Sequence, residues 1–298
     1  MAEQLSAGLT NPVKVNEPMS KHTTFRIGGP ADYMAQPKSI TELIFALKKA
    51  EELGLPVTVI GNGSNLLVRD KGIRGLVIKL GNALTDFEAV GNRIKVGSGV
   101  SLALTGHKAA KLGLTGMEFA CGIPGSIGGA VYMNAGAYDG EMSNIVREVQ
   151  VLKPNGMLAT LDAQALDFGY RHSAIQGSGM LVLSVTLELQ QGDEASINAK
   201  MADFNQRRIS KQPLELPSAG STFKRPPGYF AGTLIDQNGL KGYTVGGAQV
   251  SPKHAGFVVN IGNATAADVL QLIKDVQTKV YDTNGVKLEP EVLIIGEE

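Results

Sequence analysis

Three short polar segments of the chain carry residue types that together could stabilise and protonate a carbanion. In chain order they contain Arg171, Ser221 and Glu291. Hydride addition to an enol-ether carbon leaves carbanion character next to a carboxylate, and an arginine with a protonated glutamate can stabilise such an enolate. A hydroxyl can then deliver the proton. Each segment alone is typical of a solvated loop, and the sequence by itself does not join the three.

A glycine turn follows a predicted strand that ends at Ile60. It runs Gly61-Asn62-Gly63-Ser64-Asn65 and leads into Leu66. A Rossmann dinucleotide fingerprint needs a third glycine and a helix that begins beneath the pyrophosphate, and this segment has neither. We therefore exclude a Rossmann fold. Ser64 and Asn65 could still donate hydrogen bonds to a phosphate, and an ordinary tight turn explains the segment equally well.

A second glycine-rich stretch gives a stronger signal. Pro124 fixes its own backbone angle, and the surrounding glycines leave the backbone bare. Two such turns in close succession favour a cradle for an extended diphosphate cofactor, although a purely structural loop is the alternative. The candidate contacts are Gly122, Ile123, Pro124, Gly125, Ser126, Gly128 and Gly129, followed by Asn134, Ala135, Gly136 and Ala137.

Composition limits the classes of partner. A chain of 298 residues, 43% of them hydrophobic, is expected to form two or three lobes. Its formal net charge of +0 gives no indication of a nucleic-acid or acidic-lipid partner. An anionic ligand must then be held by local basic residues. Arg208 is our candidate for a diphosphate, because a guanidinium can bind two oxygens at once, with Lys224 nearby. A solvated basic helix end is the alternative. Phe257 could stack on a base, but a buried core phenylalanine is the more frequent case.

Several absences shape the expected environment. The single cysteine, Cys121, cannot form an internal disulfide and is expected to be a small packed residue. The four histidines lack metal-ligand spacing, so we expect no metal. The first fifteen residues have no signal-peptide core, and no apolar run reaches the ~18 residues of a membrane span. A cytoplasmic protein is expected.

Hydrophobic periodicity predicts mixed helices and strands that do not alternate regularly, which indicates an α+β fold. A capping box at Ser39 and Glu42 starts one helix, which Gly54 ends. The predicted helices are 43–53, 101–112, 195–209 and 264–281. The predicted strands are 56–60, 76–80, 181–189 and 292–295, with hairpins at 87–96 and 146–161.

Over essentially its whole length the chain resembles the UDP-N-acetylenolpyruvoylglucosamine reductase (MurB) family. In order and spacing the matching motifs are highly specific, whereas other FAD enzymes of the same fold share only the first glycine loops. The matching stretches are 23–29, 61–67, 122–129, 134–137, 170–171, 220–224 and 288–292.

The resemblance implies a two-lobed FAD-binding domain of the vanillyl-alcohol oxidase (PCMH) type and a C-terminal α+β substrate domain. We expect one FAD lobe in 1–80, the other in 81–192, and the substrate domain in 193–298. It also implies noncovalent FAD, reduced by NADPH, that reduces UDP-N-acetylglucosamine enolpyruvate to UDP-N-acetylmuramate in peptidoglycan precursor synthesis. The implied partners are this UDP-sugar and NADPH, and a monomer is expected.

The resemblance also implies roles at individual positions. Ser221 matches the general acid, while Arg171 and Glu291 match the groups that polarise the substrate carboxylate. Glu289 lies two residues away, and Glu291 is preferred because it directly precedes Val292 in the motif. Tyr170, Arg208, Lys224 and Phe257 are the expected substrate contacts. The stretch from 193 to 216 is too short for the tyrosine-loop insertion of one subgroup, so the chain resembles the shorter form.

Two other functions remain compatible with parts of the sequence. A sugar or lactone oxidase of the same fold would explain the glycine loops but not Arg171, Ser221 and Glu291 together. A non-catalytic protein that binds a UDP-sugar or a flavin would not need the three polar residues. Peroxide production without NADPH would indicate the oxidase.

Overall fold

Seven helices and nineteen strands form the computed structural model, which describes residues 1–298. The helices are α1 (Ala2–Ser6), α2 (Ile40–Glu52), α3 (Leu102–Lys111), α4 (Ile127–Tyr132), α5 (Glu194–Lys211), α6 (Ala231–Gln237) and α7 (Ala266–Asn284). The strands are β1 (Lys14–Pro18), β2 (Pro30–Ala35), β3 (Val57–Ile60), β4 (Leu66–Val68), β5 (Ile73–Lys79), β6 (Phe87–Val90), β7 (Arg93–Gly97), β8 (Leu114–Thr115), β9 (Gly136–Ala137), β10 (Gly140–Glu141), β11 (Val146–Leu152), β12 (Leu158–Asp162), β13 (Leu181–Glu188), β14 (Gln190–Gln191), β15 (Ser218–Ser221), β16 (Thr244–Val245), β17 (Ala248–Val250), β18 (Phe257–Asn260) and β19 (Leu293–Ile295).

The chain divides into two units, each made of three separate segments. The first unit contains Met1–Lys14, Met34–Asn62 and Val77–Arg208. The second unit contains Val15–Tyr33, Gly63–Leu76 and Ile209–Glu298. Strands β1, β2, β5 and β3 form one sheet in that order.

The core of the first unit is built on a five-stranded antiparallel sheet with the order β12-β11-β13-β7-β6. Val185 lies opposite Val149 on one side and Val96 on the other, and all three are buried. β-branched residues pack well on a pleated surface, which stabilises this row. Helices α3 and α4 contribute Leu102 and Ile127 to the same core. The sheet therefore provides a rigid support for the loops that flank these helices.

The second unit packs helices α6 and α7 with the antiparallel sheet β15-β18-β17-β16. Helix α7 buries Val269, Ile273, Val276 and Val280, whose spacing places them on one helical face. Val258 of β18 belongs to the same core. Strand β19 pairs in parallel with β4.

Local sequence signals explain where α2 begins and ends. The Ser39 side chain accepts a hydrogen bond from the Glu42 N–H, as an N-cap residue should. The Glu42 carboxylate accepts from the Lys38 N–H at 2.8 Å rather than from the Ser39 N–H, so only one of the two bonds of the predicted capping box forms. With Ser39 as its N-cap, the helix starts at Ile40 rather than at Leu43. Gly54 follows with a φ of +67° and ends the helix, as predicted. The α+β class and both predicted hairpins are confirmed, because β6 pairs with β7 and β11 with β12 in antiparallel register.

Candidate active site

Two glycine-rich loops of the first unit lie against each other. The Asn62 side-chain amide donates a hydrogen bond to the Pro124 carbonyl at 3.3 Å. A Cβ on Gly61 would come within 2.5 Å of the Ser126 Oγ. Since a side chain has no room there, only glycine permits this approach. The loops at 61–62 and 122–126, both predicted to hold a diphosphate cofactor, are thus brought together in one unit.

The second loop also starts helix α4. The Ser126 side chain is buried and accepts a hydrogen bond from the Gly129 N–H at 3.4 Å. A Cβ on Gly128 would lie 2.9 Å from the Ser98 Cβ, so that glycine allows close packing. Gly122 and Ile123 are half-buried and Pro124 is exposed. The solvent-facing part of the loop is therefore its beginning, while Ser126 and Gly128 support the fold.

The remainder of the first predicted turn, Gly63 to Leu66, belongs to the second unit. The Thr24 N–H donates to the Gly63 carbonyl at 3.2 Å. The Asn65 side-chain amide donates to the Glu291 carbonyl at 3.1 Å, and the Asn65 carbonyl accepts from the Leu293 N–H at 2.9 Å. Leu66 then starts β4. Asn65 therefore holds the segment that carries one of the predicted catalytic residues.

Asn134, another member of the predicted cofactor set, is buried, with 1% of its surface exposed. Its amide nitrogen donates to the Glu141 carboxylate at 3.1 Å and to the Gly169 carbonyl at 3.0 Å. Its oxygen accepts from the Ser143 N–H at 2.9 Å. Both ends of the amide therefore bond within the protein. Ala135, Gly136 and Ala137 are half-buried, and Gly136 and Ala137 form strand β9.

Arg171 lies in a tight turn of the first unit. The N–H and carbonyl groups of Gly169 and His172 exchange two hydrogen bonds of 3.1 Å. The Arg171 φ is +55°, a left-handed conformation that costs a non-glycine residue about 1–3 kcal/mol and is held only where the surroundings enforce it. Its guanidinium donates to the Gly136 carbonyl at 3.3 Å and lies 5.1 Å from the centre of the Tyr170 ring. Such strain is frequent at functional residues.

Ser221 and Glu291 lie close together in the second unit. Ser221 is the last residue of β15 and pairs with Phe257 of β18. The next residue, Thr222, accepts a hydrogen bond on its carbonyl from the Glu291 N–H at 2.8 Å. Two backbone segments far apart in sequence are thereby joined directly beside the serine. Arg171 belongs to the other unit, so of the three predicted catalytic residues the second unit contains two.

The neighbouring carboxylate, Glu289, has a different environment. Its carbonyl accepts from the Lys224 N–H at 2.8 Å, and its carboxylate forms an ion pair with the Lys224 Nζ at 3.5 Å. Phe223 and Pro290 form an isolated antiparallel β-bridge, which pairs the backbone segments that carry Lys224 and Glu289. Glu289 and Lys224 therefore neutralise each other at the surface, where such pairs contribute about 0–1 kcal/mol.

Arg208 packs against the second glycine loop of the first unit. A Cβ on Gly122 would lie 2.7 Å from the Arg208 Nη1 and 2.8 Å from its Cδ. Burial lowers the pKa of the Arg208 guanidinium. The neighbouring Arg207 pairs with Asp203 at 2.7 Å, whereas Arg208 forms no ion pair within the protein, so this cation is suited to an anionic ligand. Burial also raises the pKa of the Cys121 thiol, which suits a packed residue rather than a nucleophile.

The two aromatic residues predicted to contact substrate differ in exposure. Tyr170 is 53% exposed, whereas Phe257 is 5% exposed and lies edge-on to His254 with ring centres 5.0 Å apart. No group of three histidine, cysteine, aspartate or glutamate side chains could hold a metal ion. None of the helices combines the length and apolar composition that crossing a membrane requires.

Three residues that support these positions are absent from the predicted set of site residues. The Gln176 amide donates to the Arg171 carbonyl at 3.1 Å. The Thr222 hydroxyl accepts from the Val258 N–H at 3.0 Å, and the Thr24 hydroxyl donates to the Ser218 carbonyl at 2.7 Å. The two threonines lie inside the family motifs, which could have drawn attention to them. Gln176 lies outside every motif.

The glycine loops fit the phosphate portion of a flavin dinucleotide. Their backbone is bare at Gly61 and Gly122, both positions reject a side chain, and a half-buried arginine lies against the second loop. Residues 31–162, which contain Gly61–Leu66 and Gly122–Ala137, match the family model described as FAD binding domain. The protein BBE-like 1 from Physcomitrella patens shares the fold, with 18% identity and a TM-score of 0.50 over 64% of this chain and 44% of that one. The chain is thus an FAD-binding protein of the predicted α+β, PCMH-type class.

Residues 212–295 match the C-terminal domain model of UDP-N-acetylenolpyruvoylglucosamine reductase. A reductase of that name from Agathobacter rectalis is 55% identical over 95% of this chain and 93% of its own length. A crystal structure of UDP-N-acetylenolpyruvylglucosamine reductase (MurB) from Thermus caldophilus has 37% identity and a TM-score of 0.81, covering 95% of this chain and 97% of that chain. The chain belongs to the UDP-N-acetylenolpyruvoylglucosamine reductase family, as its motifs predicted.

Proposed function

We propose that this protein reduces UDP-N-acetylglucosamine enolpyruvate to UDP-N-acetylmuramate with electrons from NADPH, a step in peptidoglycan precursor synthesis. Identity of 55% along nearly the whole of a curated reductase supports the reaction. The observation that carries the residue assignment is the hydrogen bond between the Glu291 N–H and the Thr222 carbonyl, which holds a carboxylate-bearing segment beside Ser221. The enzyme is an FAD-dependent oxidoreductase.

Noncovalent FAD is the cofactor. The proposed contacts are those of the two glycine loops and the following segment, namely Gly61, Asn62, Gly63, Ser64, Asn65, Leu66, Gly122, Ile123, Pro124, Gly125, Ser126, Gly128, Gly129, Asn134, Ala135, Gly136 and Ala137. Backbone groups are the expected donors at most of these positions, because several of the side chains are buried or bonded within the protein. When bound, FAD accepts electrons from NADPH and supplies hydride to the substrate.

Three side chains handle the charge and the proton in this proposal. The Arg171 guanidinium binds the substrate carboxylate and stabilises the negative charge that develops on it as the C=C bond is reduced. Glu291, as the neutral acid, donates a hydrogen bond to the same group. The Ser221 Oγ then gives its proton to the carbon that bears the carboxylate, so the double bond gains one hydride and one proton.

The remaining contacts concern the UDP-sugar. Arg208 is proposed for the diphosphate, because its guanidinium is half-buried and forms no ion pair within the protein. Lys224 is proposed as a further substrate contact, and in that role it would exchange its surface ion pair with Glu289 for the anionic ligand. Tyr170 is exposed enough to contact the sugar, while Phe257 would require a rearrangement of its packing with His254.

The finer features of the proposal concern organisation. We propose that residues 1–80 and 81–192 form the two FAD lobes and that 193–298 form the substrate domain. A cytoplasmic location, in reach of the soluble UDP-sugar and NADPH, and a monomeric form are both part of the proposal. Sedimentation of the FAD-loaded protein at several concentrations measures the oligomeric state.

Anaerobic absorption spectroscopy tests the proposed function. The purified protein should show a flavin spectrum that NADPH bleaches and that UDP-N-acetylglucosamine enolpyruvate restores, with a product heavier by two hydrogens. Peroxide formed from a sugar in air without NADPH would instead identify an oxidase. A protein that binds the UDP-sugar but never restores the spectrum would be a binding protein rather than a reductase.

A further inference from the structure

The turn that carries Arg171 is unfavourable on its own and must be held by its neighbours. Its left-handed φ of +55° persists because the Gly169 and His172 backbones close the turn through two hydrogen bonds. These bonds define the turn but do not attach it to the rest of the unit. Ser173, just after the turn, bonds to the Tyr132 carbonyl through its hydroxyl at 2.9 Å, and two side-chain amides attach the turn itself.

The first attachment is Asn134. The Asn134 oxygen must accept from the Ser143 N–H, so its nitrogen is the donor to the Gly169 carbonyl at 3.0 Å and to the Glu141 carboxylate at 3.1 Å. The amide orientation is therefore fixed by chemistry. The Gly169 carbonyl that receives this bond is the same one that closes the turn with the His172 N–H.

The second attachment is Gln176. Its amide nitrogen donates to the Arg171 carbonyl at 3.1 Å and to the Tyr132 carbonyl at 2.8 Å. Tyr132 is the last residue of α4, whose orphan carbonyls need partners. One amide thus ties the backbone of Arg171 to the end of a core helix.

The guanidinium is also anchored to the segment that Asn134 begins. Arg171 donates to the Gly136 carbonyl at 3.3 Å, two residues after Asn134. The backbone of Arg171 and the carbonyl on which its side chain rests are consequently fixed by the same small network. A displacement of this network would move the cation without removing it.

We propose that Asn134 and Gln176 are positioning residues for Arg171, and that Asn134 acts through this network rather than as a side-chain ligand of the cofactor. The inference rests on the proposed role of Arg171 in binding the substrate carboxylate. It predicts a defect confined to the half-reaction in which the substrate is reduced, because NADPH oxidation does not use Arg171.

Two isosteric variants test the proposal in the FAD-loaded enzyme. Asn134→Asp and Gln176→Glu replace each donor by an acceptor that faces a carbonyl oxygen. Each should slow re-oxidation of the reduced enzyme by UDP-N-acetylglucosamine enolpyruvate by about 10- to 100-fold, the usual effect of misplacing a reacting group. Reduction by NADPH should stay within about twofold of the parent. Asn92→Ala is the matched control, because it removes an asparagine-to-carbonyl bond of 3.1 Å to Leu189 in the same unit.

A double-mutant cycle separates positioning from general damage. In an Arg171→Ala background, either substitution should add less than about twofold, since the group that it positions is absent. An equal loss in both backgrounds, an equal loss in the NADPH half-reaction, or full activity of both variants would overturn the proposal. If the buried Asn134→Asp does not fold, the half-buried Gln176→Glu carries the test alone. Full activity of Arg171→Ala itself would instead refute the role assigned to Arg171.

Discussion

The Glu291 N–H donates a hydrogen bond of 2.8 Å to the carbonyl of Thr222, the residue that follows Ser221. This bond joins the segment just before β19 to the end of β15. Thr222 also forms two hydrogen bonds with the segment that contains Gly256 and Val258. Its hydroxyl accepts from the Val258 N–H at 3.0 Å, and its own N–H donates to the Gly256 carbonyl at 2.8 Å. Thr222 therefore joins its own backbone segment to two others of the second unit.

Removal of the Thr222 hydroxyl should destabilise the protein. Thr222→Val leaves the buried Val258 N–H without its partner, which costs about 1–3 kcal/mol. Chemical denaturation of the FAD-loaded protein should show this loss. Thr222→Ser keeps the hydroxyl and should lose much less, so similar losses in both variants would contradict the role given to this hydrogen bond.

A side chain at position 122 should impair ligand binding by moving Arg208. The added Cβ of Gly122→Ala would meet the Arg208 Nη1 at 2.7 Å, so the guanidinium must shift. We expect roughly a tenfold rise in KM for the UDP-sugar, equivalent to about 1.4 kcal/mol. Arg208→Met should have a comparable effect, and the double variant should be little worse than either single one. Additive losses in the double variant would show that Gly122 acts independently of Arg208.

Asp70 should stabilise helix α7. Its two carboxylate oxygens accept from the Ala266 and Ala267 N–H groups at 2.8 and 2.9 Å, at the positive end of the helix dipole. Asp70→Asn should therefore lower the free energy of unfolding by about 0.5–2 kcal/mol. Asp282→Asn, in the last turn of the same helix, removes a charge from the negative end and should be neutral or stabilising. A comparable loss in both variants would contradict this account.

His254 should make the protein less stable as the pH falls below neutrality. Burial lowers the pKa of His254 from its ordinary 6.5, and its Nδ1 accepts a hydrogen bond from the Gly256 N–H at 3.1 Å. A lowered pKa means that the unfolded chain binds the proton more readily, so stability is complete above about pH 6.5 and falls as the pH drops through the lower folded-state value.

Thermal melts between pH 7.5 and 5 measure this effect. His254→Asn keeps an acceptor for the Gly256 N–H but cannot titrate, so its Tm should fall less than that of the parent over this range. The exposed His107→Asn should follow the parent. Parallel curves for all three proteins would show that His254 does not contribute to the acid-side loss.

The sequence was informative where local chemistry decides structure. Ser39 and Gly54 bound α2, and turn residues between short strand-like runs predict the hairpins 87–96 and 146–161, which the structure confirms. The strands Ser218–Ser221 and Ala248–Val250 were missed, because segments so short and rich in small residues carry no periodicity. Their pairing depends on contacts distant in sequence, which no local pattern encodes.

At the candidate site, too, local sequence predicts the residues but not the contacts between distant segments. The residues themselves could be named from the family motifs, but not the contacts that hold them. Asn65 and Asn134 were predicted as cofactor ligands, yet their side chains bond to the Glu291 and Gly169 carbonyls. Gln176 gave no signal at all, since its importance arises only from where the chain places the Arg171 carbonyl.

Single-turnover kinetics of Ser221→Ala test the central claim most directly. The variant should retain FAD and be reduced by NADPH at the parent rate, because Ser221 takes no part in that step. Its re-oxidation by UDP-N-acetylglucosamine enolpyruvate should slow by about 10²–10⁴-fold, the usual contribution of a general acid. Ser218→Ala, on the same strand, should re-oxidise like the parent. Re-oxidation of Ser221→Ala at the parent rate would contradict the assignment of Ser221 as the proton donor.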